Sequence, residues 1–148
     1  MTLGLEACNR YETRLVNTAK QALELAKRIN EPAVMIHLDT CHADIEEKGF
    51  AAALKDGAGL VRYVHLSESD RGVPGSGNLD WKSVVIALKG ASFDGDLVVE
   101  SFVNMPPQLA SALSVWSPVA RDRDEVVDIG LPYLKSLARA KGLAMHSR

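Results

Sequence analysis

Four short apolar runs, each closing on a polar side chain able to bind a metal, constrain this chain more than any other feature: Leu3 to Glu6, Ala33 to Asp39, Leu60 to His65 and Asp96 to Glu100. Their β-branched, nearly continuous apolar character is that of buried parallel strands. Helical patterns lie between them. The clearest spans about residues 13–30, where Leu15, Ala19, Ala22, Leu23, Ala26 and Ile29 recur at spacings of three and four before Pro32 closes it. A second covers about 45–56 and stops before Gly57 and Gly59, and a third covers Trp81 to Lys89 behind an Asp80 cap. The last helix is expected over about 122–142, capped by Asp122 and ended by Gly142, with Gly130 and Pro132 inside it as points of kinking or splitting.

Strands alternating with helices predict a parallel sheet of right-handed βαβ units. The closing residues Glu6, Asp39, His65 and Glu100 are 33, 26 and 35 positions apart. A (β/α)8 barrel of about 250 residues allots roughly 31 to each unit. The spacing therefore fits a barrel better than a ragged open sheet, with an open four-stranded α/β sheet as the alternative. The 148 residues hold only four such units, so the expectation is one half-barrel over 1–148. A half-barrel exposes two strand edges and an apolar interior. Three arrangements answer that exposure: a piece of a longer parent, two copies pairing, or another chain supplying the missing half. Met1 standing almost on the first strand favours the first of these.

Lys and Arg are scattered and the net charge is −2, which leaves no electrostatic footprint for nucleic acid or an anionic membrane. Small molecules are the expected partners. No signal-peptide pattern or apolar run of about 20 residues is present, so a cytoplasmic location is expected. Cys8 and Cys41 lack metal or redox spacing and are read as reduced, packing thiols.

In a barrel, chemistry gathers at the C-terminal ends of the strands, where Glu6, Asp39, His65 and Glu100 fall. Any one of them alone reads as a helix-capping carboxylate or a satisfied buried histidine. Four in register read as a site, and three carboxylates with one imidazole suit Mn²⁺, Mg²⁺ or Co²⁺ better than a thiolate zinc site does. The glycines 72, 75 and 77 fit neither GxGxxG nor a P-loop, and read as an ordered loop that positions Arg71 rather than a phosphate cradle. His37 alternates with Asp39 and is expected to pack beneath the site. Glu46 and Glu47 read as helix-start charges, Trp81 as helix-on-sheet packing, and Trp116 as core or rim. No role is assigned to His146.

Four ordered segments carry a family resemblance: Leu-Glu-x-x-Asn-Arg-Tyr-Glu from Leu5, His-Leu-Asp-Thr-x-His-x-x-Ile-Glu-Glu from His37, His-Leu-Ser-Glu-x-x-Arg-Gly-x-Pro-Gly-x-Gly-x-x-Asp-Trp from His65, and Val-Glu-Ser-Phe from Val99. Together they resemble the ketose 3-epimerases, typified by D-tagatose and D-psicose 3-epimerases, of the xylose-isomerase-like TIM-barrel superfamily. The match is to the C-terminal half of that barrel. The resemblance implies that Glu6, Asp39, His65 and Glu100 bind one divalent cation, usually Mn²⁺. It also implies that Glu6 and Glu100 are the catalytic pair, and that Glu12, His42 and Arg71 hold the oxygens of a ketose. Epimerisation at carbon 3 through an enediolate is the activity implied, and the half-barrel's partner would be a second copy or a complementing N-terminal half. The alternatives are an aldose–ketose isomerase of the same superfamily and a non-catalytic metal-binding or assembly module. An abasic-site endonuclease of that superfamily would need more histidines and a basic groove.

Overall fold

A computed structural model describes residues 1–144; His146 lies outside them. Four strands, β1 (Leu3–Glu6), β2 (Val34–Asp39), β3 (Val61–Leu66) and β4 (Asp96–Val99), form one parallel sheet in the order β1-β2-β3-β4. Among the described residues the sheet is open, with β1 and β4 each paired to a strand on one side. Register sets Glu6 opposite His37, Asp39 opposite His65, and His65 opposite Val98.

Helices cover one face. They are α1 (Ala19–Ile29), α2 (Thr40–Glu46), α3 (Phe50–Asp56), α4 (Trp81–Gly90), α5 (Pro107–Ala112) and α6 (Leu131–Lys141). Ile36, Leu38, Val64 and Leu66 of the central strands pack against Ala19, Ala22, Ala53, Trp81, Val84, Leu88 and Leu134 in one core. Strand alternation then turns His37, Asp39, Tyr63 and His65 to the other face, the inside of a barrel. Among the described residues no helix is long and apolar enough to cross a membrane.

Several expected helices change shape. The one expected from residue 13 starts at Ala19, because Thr18 and Gln21 form a reciprocal capping box and the segment before it serves as a loop. The pattern over 45–56 is two helices broken at Lys48 and Gly49, where Gly49 takes φ +102°. Glu46 and Glu47 consequently end a helix instead of opening one. Each reaches across the chain, Glu46 to the backbone and guanidinium of Arg10 and Glu47 to the N–H of Ala19.

The last helix does receive a cap from Asp122, which accepts from the N–H of Glu125. It enters α6 through a π-helical turn, Val126–Gly130, which ends on Gly130, one of the two expected kink residues; the other, Pro132, lies in the first turn of α6. A Cβ on Gly130 would fall 2.6 Å from Pro74 Cδ, so the glycine lets the loop after β3 touch the helix. Trp81 is core, as expected, while Trp116 is exposed. Both cysteines are free thiols, and burial pushes each up to about 11.

Candidate active site

The strand ends converge as barrel geometry requires. Glu6 closes β1, Asp39 closes β2 and caps α2 by accepting from His42 N–H at 2.9 Å, His65 lies in β3, and Glu100 follows β4 directly. His42 rides in the first turn of α2. Glu12 and Arg71 come from the loops after β1 and β3. All seven side chains meet in one cluster.

Arg71 holds the centre. Its Nη1 donates to Asp39 Oδ2 at 2.9 Å, Glu100 Oε2 at 2.8 Å and Ser67 Oγ at 3.0 Å. Its Nη2 lies 3.0 Å from His42 Nε2 and 3.6 Å from Glu12 Oε1. The guanidinium also stacks over Phe102, 4.6 Å from the ring centroid. Glu6 Oε1 approaches both His42 Nε2 and His65 Nδ1 at 3.9 Å, and Glu100 Oε1 comes to 3.4 Å from the same His65 nitrogen.

The electrostatics follow from this crowding. Burial, then the charges of Asp39 and Glu100, raise Glu6 to about 7. Burial also raises Glu100, against the pull of Arg71. Burial pushes on Asp39 too, but Arg71, Ser67 and the His42 N–H outweigh it and hold this carboxyl below its usual range. Burial and the neighbouring His65 lower His37 to about 4 and keep it neutral. It lies where the sequence places it, beneath the site, with its ring 4.2 Å from that of His65 and 5.0 Å from that of Tyr63.

The donor set suits a divalent cation. His65 Nδ1 is buried without a hydrogen-bond partner, although it faces two carboxylates. Four carboxylates (Glu6, Glu12, Asp39 and Glu100) share one guanidinium, and the surplus negative charge calls for a cation. Asp39, His65 and Glu100 offer ligand atoms within 4.8 Å of one another, and so do Glu6, His37 and His65. A third group, Glu6, Cys8 and His42, is as compact, but its soft sulfur suits Mn²⁺, Mg²⁺ or Co²⁺ less well than carboxylate oxygens do.

Three further residues belong here that the sequence reading did not assign to the site. Asn9 is buried; its backbone N–H donates to His42 Nδ1 at 3.2 Å and its amide to Glu12 Oε1 at 2.9 Å. Ser67 donates to Asp39 Oδ2 at 2.7 Å; it lies two residues beyond His65, and strand alternation was the signal for it. The third, Glu68, stands behind the Arg71 loop. Beside the cluster, a cleft of about 300 Å³ is lined by Asn9, Tyr11, Glu12, Ile45 and Trp116 among others.

The chain is similar to known sugar epimerases. The chain is 39% identical over 128 residues to the ketose 3-epimerase of Arthrobacter globiformis, covering 85% of this chain and 44% of that protein. It is 36% identical over 137 residues to the L-ribulose 3-epimerase of Methylomonas sp. (strain DH-1), covering 91% and 48%. Among solved structures, the D-allulose 3-epimerase of Methylomonas sp. in complex with D-allulose superposes with a TM-score of 0.85 at 36% identity, covering 92% of this chain and 48% of that one. The chain thus spans about half the length of the relatives it matches. With a match over residues 1–119 to the family described as xylose isomerase-like TIM barrel, the chain belongs to that family.

Proposed function

We propose that this cluster binds a ketose and inverts carbon 3 through an enediolate, with Glu6 and Glu100 as the acid/base pair. One divalent cation, Mn²⁺ ahead of Mg²⁺ or Co²⁺, would be held by Glu6, Asp39, His65 and Glu100. The observation that carries the reading is the approach of Glu6 and Glu100 to one His65 nitrogen from the first and last strands. The relatives' activities on ketoses support the substrate class.

Inverting a carbon beside a ketone requires removal of its proton from one face and return of a proton to the other. Two carboxyl groups, Glu6 at the end of β1 and Glu100 directly after β4, supply that pair from the two sides of the sheet. When bound, the cation would polarise the ketone and offset the developing negative charge. The oxygens are held by the chain itself. Because the N–H of Asn9 donates to His42 Nδ1, the neutral ring carries its proton on Nε2, facing Arg71 Nη2 at 3.0 Å. His42 and Arg71 thus present their N–H groups side by side, where a ketose oxygen would accept from them. Glu12, held by Asn9, accepts from a sugar hydroxyl. The open sheet edges favour a second copy or a complementing half-barrel as protein partner.

The test is incubation of the chain with D-allulose and Mn²⁺ in D₂O. Deuterium at carbon 3 together with the carbon-3 epimer is the expected result. Deuterium at carbon 2 of an aldose product, and at carbon 1 of the recovered ketose, would instead establish an aldose–ketose isomerase. No exchange at either carbon, with Mn²⁺ bound, would leave the chain a non-catalytic metal-binding module.

A further inference from the structure

Behind Arg71 stands a residue that the chemistry above does not use. Glu68 is 0% exposed, which a carboxylate tolerates only when its lone pairs are filled. Four N–H groups fill them. Oε1 accepts from the backbone of Ser69 at 2.9 Å and Leu79 at 3.0 Å; Oε2 accepts from the backbone of Gly75 at 2.8 Å and the indole of Trp81 at 2.7 Å. These donors come from the start, middle and end of the 69–81 segment, so one carboxylate closes the whole loop. Gly77 lies against it, where a Cβ would fall 2.7 Å from Glu68 Cγ. The glycine-rich stretch is therefore wrapped around a carboxylate of its own chain.

Arg71 sits inside that loop at φ +64°, a left-handed conformation that an arginine adopts only when its surroundings over-determine it. Its N–H donates to the carbonyl of Glu68 at 2.9 Å, and its carbonyl accepts from Phe102 N–H at 2.8 Å and Ser101 Oγ at 2.9 Å. With the backbone held so, the side chain reaches Asp39 and Glu100.

We propose that Glu68 is a positioning residue whose carboxylate closes the 69–81 loop and thereby fixes the Arg71 guanidinium in the sugar-binding cluster. The identity of the ligand rests on the function proposed above; the positioning of Arg71 does not. Glu68→Gln replaces one acceptor oxygen with an NH₂ group that faces two N–H donors whichever way the amide turns. The readout is the ¹⁵N–¹H spectrum of the Arg71 guanidinium and the Trp81 indole, alongside the D-allulose dissociation constant measured with Mn²⁺ present.

In the wild type, Arg71 signals are resolved and slow to exchange. In Glu68→Gln they are lost while far-UV circular dichroism is retained, and D-allulose binds about 10- to 100-fold more weakly. Trp81→Phe removes one of the four donors, broadens the Arg71 signals and weakens binding by about threefold; it decides the matter if Glu68→Gln does not fold. Either variant folding with wild-type Arg71 signals overturns the proposal. If the wild type binds no D-allulose, the functional reading fails, and the Arg71 signals still decide the role of Glu68.

Discussion

Arg71 balances charge that the site's carboxylates cannot balance among themselves, since Asp39 Oδ2 and Glu100 Oε2 both accept from its Nη1. Glu100 Oε1 remains beside His65 Nδ1, and that oxygen is the one a cation needs. Glu100→Gln is expected to weaken Mn²⁺ binding at least ~10-fold, because even partners one layer behind a metal ligand typically cost 10- to 100-fold. Titration calorimetry on both proteins checks this, and equal affinities would remove Glu100 from the ligand set. Glu68 gives the pH prediction. Burial pushes its carboxyl up, but its four N–H donors outweigh burial and hold it below the ordinary carboxylate range. A carboxyl depressed in the folded state contributes stability above its unfolded pKa of about 4.3, and that contribution is lost as pH falls through the folded value. Urea unfolding of wild type and Glu68→Gln should therefore differ at pH 7 and converge toward pH 2. A gap that stays constant with pH would count against an ionised Glu68. Glu6, Asp39, His65 and Glu100 were legible because each ends an apolar run. Asn9 and Glu68 were not, because no periodicity marks them: Asn9 meets His42 from another segment, and Glu68 meets N–H groups of an irregular loop whose path no local pattern encodes.

Helix ends were decided by hydrogen bonds more than by periodicity. Leu15 extends the apolar pattern of α1 backward yet is exposed, while the Thr18–Gln21 box starts the helix at Ala19. Thr18→Ala should cost about 0.5–2 kcal/mol, measured by urea denaturation; no loss would mean the box contributes nothing. Gly130 sets local preference against packing. Helix propensity alone says that alanine there gains about 0.5–1 kcal/mol. The contact of its Cβ with Pro74 Cδ at 2.6 Å and Pro74 N at 3.2 Å says that Gly130→Ala loses about 1–3 kcal/mol, since backbone yields poorly. The sign of the change in thermal midpoint separates the two. The short helix α5 went unread because Pro107–Ala112 is too brief to show a period.

Across the whole molecule, the sheet has a covered face and an open one. Leu3 of β1 and Val98 of β4 are among the exposed large apolar side chains, and among the described residues each outer strand has a neighbouring strand on one side only. Such edges recruit other strands. Sedimentation velocity should therefore show the average mass rising with concentration above the 16.0 kDa of one chain; a constant monomer at high concentration would show that the edges are protected. The sequence by itself determined the alternation of strands with helices, the face that His37 shares with Asp39 and the four strand-end residues, because alternation along a strand and a repeat of roughly 31 residues are written in one dimension. Only the tertiary structure decided that Glu68 gathers the loop after β3, that Arg71 lands between Asp39 and Glu100, and that Gly130 opens for Pro74. Each of these depends on the path the chain takes in space, within an irregular loop or between separate segments, and no local pattern encodes a distance along that path.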